Sequence, residues 1–137
     1  MEDEKLFFTS KECDIYYNPE LNAVQSKWKG VYSSGEPFRK IMDTMVELLR
    51  QKKATIIIAD ARNMKIISGN DQEWLMNDWY PRALSAGWSC EALIVSKNTY
   101  KELTIRKIVR AYDKKKLKTG YFETPEDAIE WVKNAEV

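Results

Sequence analysis

The sequence predicts an α/β protein with a mixed sheet of about five strands, an N-terminal hairpin followed by parallel strands, and about four helices. Two β-prone segments flank a short turn near the N-terminus, and amphipathic helical patterns separate the later strand-like runs. A hairpin followed by alternating helices and strands implies parallel pairing through right-handed crossovers. The 137 residues contain no linker rich in proline, glycine or serine, so a single domain over residues 1–137 is expected, with 1–11 a candidate poorly ordered tail.

The hairpin is predicted at residues 14–18 and 22–29, around the turn Pro19-Glu20-Leu21. In its second strand, three side chains alternate with polar ones and are expected on a buried face: Val24, Ser26 and Trp28. After a loop, Pro37 favours the start of a helix that runs to about residue 52. Its apolar residues recur at steps of three and four, as in an amphipathic helix: Phe38, Ile41, Met42, Met45, Leu48 and Leu49.

Residues 55–59 are apolar on both faces, which predicts a strand covered on each side. After the loop at 60–69, Asn70 and Glu73 have capping-box spacing and predict a helix to about residue 86. Pro81 is expected to kink this helix, and Gly87 to end it with a left-handed residue.

The last third of the chain repeats the pattern of strand followed by helix. Residues 91–95 predict a second strand covered on both sides, and apolar residues from 105 to 112 predict a third helix. A short strand is expected at 121–122. Thr124, followed by Pro125, predicts the start of a final helix.

Composition excludes several kinds of site. The 22 basic and 21 acidic residues leave a net charge of +1, which gives no general support for nucleic-acid binding. The chain has no histidine, and two cysteines alone cannot form a four-thiolate metal site. No nucleotide-binding, hydrolase or metalloprotease motif is present. We therefore expect no cofactor and no metal. Enzyme activity is disfavoured, and an enzyme that uses carboxylates or lysines, with an acid/base pair near Asp60, is the alternative.

The N-terminus is acidic and lacks a signal-peptide pattern, and no apolar run is long enough to cross a membrane. These features predict a cytoplasmic protein. Cys13 and Cys90 are far apart in the sequence, so they are expected as buried or half-buried free thiols, with a disulfide as the alternative.

Three segments carry a family resemblance: Thr-Ile-Ile-Ile-Ala-Asp at 55–60, Asp-Trp-Tyr-Pro-Arg at 78–82, and Phe-Glu-Thr-Pro-Glu-Asp-Ala-Ile-Glu-Trp-Val at 122–132. Together with the element order, they resemble the SpoIIAA-like branch of the STAS superfamily over roughly residues 12–135. This superfamily includes anti-anti-sigma factors and the cytosolic domains of sulfate transporters. The resemblance implies a regulatory module that binds a protein partner or a small, often anionic or lipid-like ligand.

The resemblance also implies a phosphorylatable serine, followed by glycine, at a helix start after the central strand. Ser68 and Gly69 are the nearest match, although Ile67 stands where the family has an acidic residue and the spacer after the strand is shorter. A helix N-terminus favours a phosphate through its free N–H groups and dipole. The alternative is that Ser68 is a polar loop residue that helps to cap the helix.

Asp60 and Arg62 follow a central strand at its carboxyl end, where open α/β sheets bind ligands. They are candidates for holding a ligand hydroxyl and an anion, with a loop ion pair as the alternative. Trp74 lies on the polar side of its predicted helix, so it either folds over a neighbouring segment or contacts a partner. Aromatic residues at helical spacing usually pack, so Trp79, Trp88 and Trp131 are expected in the core.

Basic residues cluster in one segment: Arg106, Lys107, Arg110, Lys114, Lys115, Lys116 and Lys118. They predict either weak peripheral contact with an anionic membrane or a solvated helix end. A protein partner is expected, and a homodimer stays open. The alternative function is binding of a small apolar or lipid-like ligand, in a cavity bordered by the helices over Phe38–Leu49 and Trp74–Leu84.

Overall fold

The structure is a computed structural model. It describes residues 4–97 and 99–135, with the side chains of 99–103 left out. A six-stranded sheet has its strands in chain order across the sheet. The elements are β1 (Lys5–Thr9), β2 (Cys13–Asn18), β3 (Ala23–Trp28), α1 (Gly35–Lys52), β4 (Ile56–Asp60), α2 (Gly69–Trp74), a π-helical turn (Leu75–Trp79), α3 (Tyr80–Ser85), β5 (Cys90–Ile94), α4 (Thr99–Arg110), β6 (Lys118–Phe122) and α5 (Pro125–Asn134).

The mixed α/β sheet that the sequence predicts is confirmed. Strands β1, β2 and β3 pair antiparallel, and β3, β4, β5 and β6 pair parallel. The additional strand is β1, which was not predicted and pairs with β2 at the edge of the sheet. It takes up residues 5–9 of the expected tail, whose residues 1–3 lie outside the described part of the chain.

The helices lie on both faces of the sheet. Because the parallel strands progress in one direction, crossovers of one hand place their helices on one face. Buried residues of α1, of the segment from α2 to α3 and of α4 accordingly share one core with Val24, Ile57 and Leu93. On the other face, α5 packs its buried Ala128 and Val132 on β4 and β5.

The register of the strands decides which side chains face the three crossover helices. Ser26 on β3 is level with Ala59 on β4, which is level with Leu93 on β5. Two residues earlier on β5 and on the same face stands Glu91. This face therefore carries an acidic residue and a hydroxyl among apolar side chains.

The helical segment after β4 differs from the prediction in two ways. Its N-cap is Ser68 rather than Asn70, and the Ser68 hydroxyl accepts the N–H of Asp71 at 3.2 Å. A widened π-helical turn, not a kink alone, precedes Pro81, and the Tyr80 N–H donates to the carbonyl of Leu75, five residues earlier. Pro81 has no N–H to donate to the carbonyl of Asn77, four residues earlier, and its ring crowds that same carbonyl of Asn77. Both effects favour the widened turn.

Other local predictions are confirmed. Gly87 has a φ of +106° after α3, and the Thr124 hydroxyl accepts the N–H of Asp127 at 3.2 Å at the start of α5. Cys13 and Cys90 are both buried and free. No helix within residues 4–97 and 99–135 combines the length and the apolar character that crossing a membrane requires.

Candidate functional site

A cavity lies between the sheet and the crossover helices α1 and α4, beside the π-helical turn. It has a volume of about 70 Å³ and is partly open to solvent. We call it the central cavity. Ala59 contributes a small side chain to its floor between β3 and β5, so the sheet leaves room there.

The walls of the central cavity are mostly apolar. Aromatic residues come from three elements and from the turn after α4: Trp28, Phe38, Trp79 and Tyr112. Three methionines also line it: Met42, Met45 and Met64. Aromatic rings give rigid apolar surface and thioethers adapt to the shape of a ligand, so these walls suit a small apolar molecule.

Among the described residues that line this cavity, Glu91 is the one with an ionisable carboxyl group, and none has a basic side chain. Glu91 is 7 % exposed, and burial raises the pKa of its carboxyl to about 8. Within the described part of the chain, no hydrogen bond or ion pair reaches this carboxyl. A buried carboxyl without a partner is costly, so Glu91 holds its proton at neutral pH.

Tyr112 is an aromatic neighbour of Glu91. Burial raises the pKa of the Tyr112 phenol, and the nearby Glu91 carboxyl raises it further. The Tyr112 ring stacks on the ring of Tyr80 at 4.6 Å, and Trp88 meets it edge-on at 5.6 Å. These ring contacts hold in place the Tyr112 side chain, which lines the cavity.

Ser26 adds a second unpaired polar group to the same cavity. Its hydroxyl oxygen is buried and has no hydrogen-bond partner among the described residues. Buried polar groups in folded proteins nearly always have partners. Two such groups in one cavity, Ser26 and Glu91, indicate a place prepared for the polar part of a ligand.

The residues that the sequence singled out lie elsewhere. Asp60 and Arg62 form a two-pronged ion pair, with the Arg62 Nε and Nη2 at 2.9 and 2.7 Å from the Asp60 carboxylate. They line a different groove, of about 180 Å³, on the sheet face that carries α5, together with Tyr16 and Gln25. This geometry matches the alternative of a loop ion pair.

Ser68 and Gly69 stand at the start of α2, and Ser68 fills the capping role that was its alternative. Its hydroxyl donates to the buried carboxylate of Asp71 at 2.8 Å. The same carboxylate accepts the backbone N–H of Gly35 at 3.2 Å and lies 3.7 Å from the Arg39 guanidinium. Asp71 thereby ties the start of α2 to the start of α1, and use of Ser68 as a phosphoacceptor stays a prediction.

Trp74 folds over helix α1 and is half-buried. Its ring meets the ring of Phe38 edge-on at 6.4 Å, and the guanidinium groups of Arg39 and Arg82 lie 5.2 and 5.7 Å from its centre. Arg82 in turn pairs with Asp43 and Asp78 at 2.7 and 2.8 Å. Of the other tryptophans, Trp79 and Trp88 are buried as expected, and Trp131 packs half-buried on Phe122.

Sequence reasoning missed Glu91, the residue that distinguishes the central cavity. The signal was available: it is an acidic residue inside a strand predicted to be covered on both faces, where charges are rarely buried without a partner. The helices bordering the cavity were identified correctly, since both Phe38–Leu49 and Trp74–Leu84 contribute to its walls.

Comparisons with protein-family models, with curated proteins and with solved structures gave no match. Among the described residues, no cluster of three or more carboxylate or thiol side chains is placed to hold a metal ion.

Proposed function

We propose that this protein binds a small, mainly apolar molecule in the central cavity and works as a carrier or sensor of that molecule. One observation carries the proposal: the apolar cavity contains two buried polar groups, Ser26 and Glu91, that have no partner among the described residues. Burying such groups costs free energy that a bound ligand with a matching polar group would recover. Ligand pockets typically combine apolar walls with a few such polar groups.

The π-helical turn supports the same assignment. Leu75 and Trp79 at its two ends both line the cavity. Single π-helical turns inside α-helices occur frequently at functional sites, where the widened backbone places side chains that a regular helix would turn away. The Trp79 indole N–H donates to the Met42 carbonyl at 2.7 Å, which links this turn directly to α1, and both residues line the cavity.

Methyl NMR on methionine tests the proposal directly, with toluene as an apolar probe. We expect saturable shifts of the Met42, Met45 and Met64 methyl signals, while Met76, which is outside the lining, serves as the internal reference. The variant Ala59→Leu fills the floor and should abolish these shifts, whereas Ala111→Leu, at an exposed position, should preserve them. Shifts that stay absent up to the solubility of toluene would refute the proposal.

Regulation through a protein partner, in the manner of STAS modules, is the second function we propose. Trp74 supports it, because a half-buried tryptophan beside Arg39 and Arg82 combines two of the residue types that are enriched in binding hot spots. Co-purification from native lysate should lose a specific partner with Trp74→Ala and keep it with Lys133→Ala, which changes an exposed residue of α5. Identical partner sets for both variants would contradict this second function.

A further inference from the structure

The charges around the central cavity restrict the ligand that it accepts. None of its described lining residues is a lysine or an arginine, so no cation is placed there for a carboxylate or phosphate. An anionic ligand would lie beside Glu91 in an apolar environment, where like charges repel strongly. The anionic ligands that the family resemblance implies are therefore disfavoured at this cavity, and neutral or cationic molecules remain.

The aromatic walls favour a cation over a neutral molecule. Trp28, Phe38, Trp79 and Tyr112 line the cavity, and aromatic rings attract cations through the negative charge of their faces. A cation in an apolar cavity also needs a counter-charge, since an unpaired buried ion is very costly. Glu91 is positioned to supply that charge, and it has no competing partner among the described residues.

Resting on the proposed function, we propose that the ligand is a small aromatic or aliphatic amine, and that its ammonium group pairs with the Glu91 carboxylate inside the central cavity. The apolar part of the amine fills the space between the methionine and aromatic walls. Ser26 offers a second hydrogen bond from β3.

Binding of the amine replaces the proton on Glu91 with the ammonium group of the ligand. In the empty cavity Glu91 carries a proton, because burial raises its pKa to about 8. When a protonated amine enters, the carboxyl releases that proton to solvent and the carboxylate pairs with the ammonium. The cavity stays neutral before and after binding, and one proton is released for each amine bound.

The titratable groups near Glu91 do not compete for this role. Tyr112 lies beside it after α4, Tyr80 stacks on Tyr112 from α3, and Tyr121 approaches Tyr112 from β6. The pKa of Tyr112 is raised further above its ordinary range, so this phenol stays neutral across physiological pH. From α1 and β4 the lining residues are apolar, and Glu91 is the acid that titrates.

A series of ligands of matched size tests the inference on the full-length protein: toluene, benzyl alcohol, benzylamine and benzoate. At pH 7 we expect benzylamine to bind wild type about 10- to 100-fold more tightly than toluene or benzyl alcohol, as a charged hydrogen bond in a cavity provides. Benzoate should bind most weakly. The variant Glu91→Gln preserves the shape of the side chain. Its affinity for benzylamine should fall by about tenfold or more, while its affinity for toluene should change by less than about twofold.

The outcomes separate the inference from the proposed function. If toluene binds and benzylamine binds no more tightly, the amine assignment is overturned while the ligand cavity stands. If none of the four molecules binds, the proposed function fails as well. Benzoate binding more tightly than benzylamine would likewise overturn the inference, and this comparison needs wild type alone.

Discussion

Ser26 on β3 and Glu91 on β5 face the same cavity across strand β4, and neither has a hydrogen-bond partner among the described residues. The strand between them contributes Ala59, whose small side chain leaves the space open. In a chain of net charge +1 without histidine, this pair is the clearest departure from an ordinary apolar core.

The first prediction concerns stability and pH. Burial raises the pKa of Glu91 to about 8 in the folded protein, so between about pH 4.5 and 8 the folded state binds more protons than the unfolded state. The free energy of unfolding should therefore fall by about 3 kcal/mol from pH 5 to pH 8 through this group. Urea unfolding at several pH values measures this fall.

Glu91→Gln is the matched variant for that measurement. It removes the titrating group and keeps the shape, so most of the fall above pH 5 should disappear and the variant should exceed wild type in stability at pH 8. Parallel pH profiles for wild type and Glu91→Gln would contradict the assignment of a buried, protonated Glu91.

The second prediction concerns the start of α2. Ser68→Ala removes the hydroxyl that caps α2 by accepting the backbone N–H of Asp71 and that donates to the buried Asp71 carboxylate. This loss should lower the free energy of unfolding by about 1–2 kcal/mol. Gly69→Ala is the neighbouring control, since a Cβ there meets open space, and it should leave stability unchanged or slightly raised. Equal losses for the two variants in urea unfolding would rule out the capping role.

The third prediction concerns the thiols. Burial raises the pKa of Cys13 to about 12 and that of Cys90 to about 11, so few molecules carry a reactive thiolate at pH 8. A disulfide reagent should label both residues at least about 100-fold more slowly in the folded protein than in urea. Rapid labelling of either thiol without denaturant would show that its burial is wrong.

The fourth prediction separates the two faces of the sheet. Arg62 pairs with Asp60 in the groove on the α5 side, and neither residue lines the central cavity. Because this pair is partly exposed, Arg62→Ala should cost less than about 1 kcal/mol in stability. It should also change the toluene affinity measured by methyl NMR by less than about twofold. A larger loss of affinity would mean that the two sites are coupled.

Much of the fold follows from local sequence signals. The hairpin, the strands β4 and β5, helix α1 and the cap at Thr124 were predicted because each depends on periodicity or on a single turn of chain. Strand β1 was missed because its side chains are mostly exposed and its pairing with β2 is a tertiary contact. The widened turn before Pro81 depends on helix packing as well as on the proline, so the sequence predicted a kink.

The candidate site was harder to predict for a physical reason. Asp60, Arg62 and Ser68 are polar residues in a loop, and such residues often satisfy one another or the backbone, as they do here. Glu91 stands in an apolar strand, and its lack of a partner depends on residues brought together by β3, α1 and the turn after α4. Sequence spacing alone contains no such information, although an acid in a covered strand is a usable warning.

The most direct test of the account is a carboxyl NMR titration of Glu91, followed with and without benzylamine. Without ligand, the Glu91 carboxyl carbon should titrate near pH 8, as its burial requires. With saturating benzylamine, its pKa should fall by at least about one unit, because the paired ammonium stabilises the carboxylate. An ordinary titration near pH 4 to 5 in the free protein, or a titration that benzylamine leaves unchanged, would contradict the account.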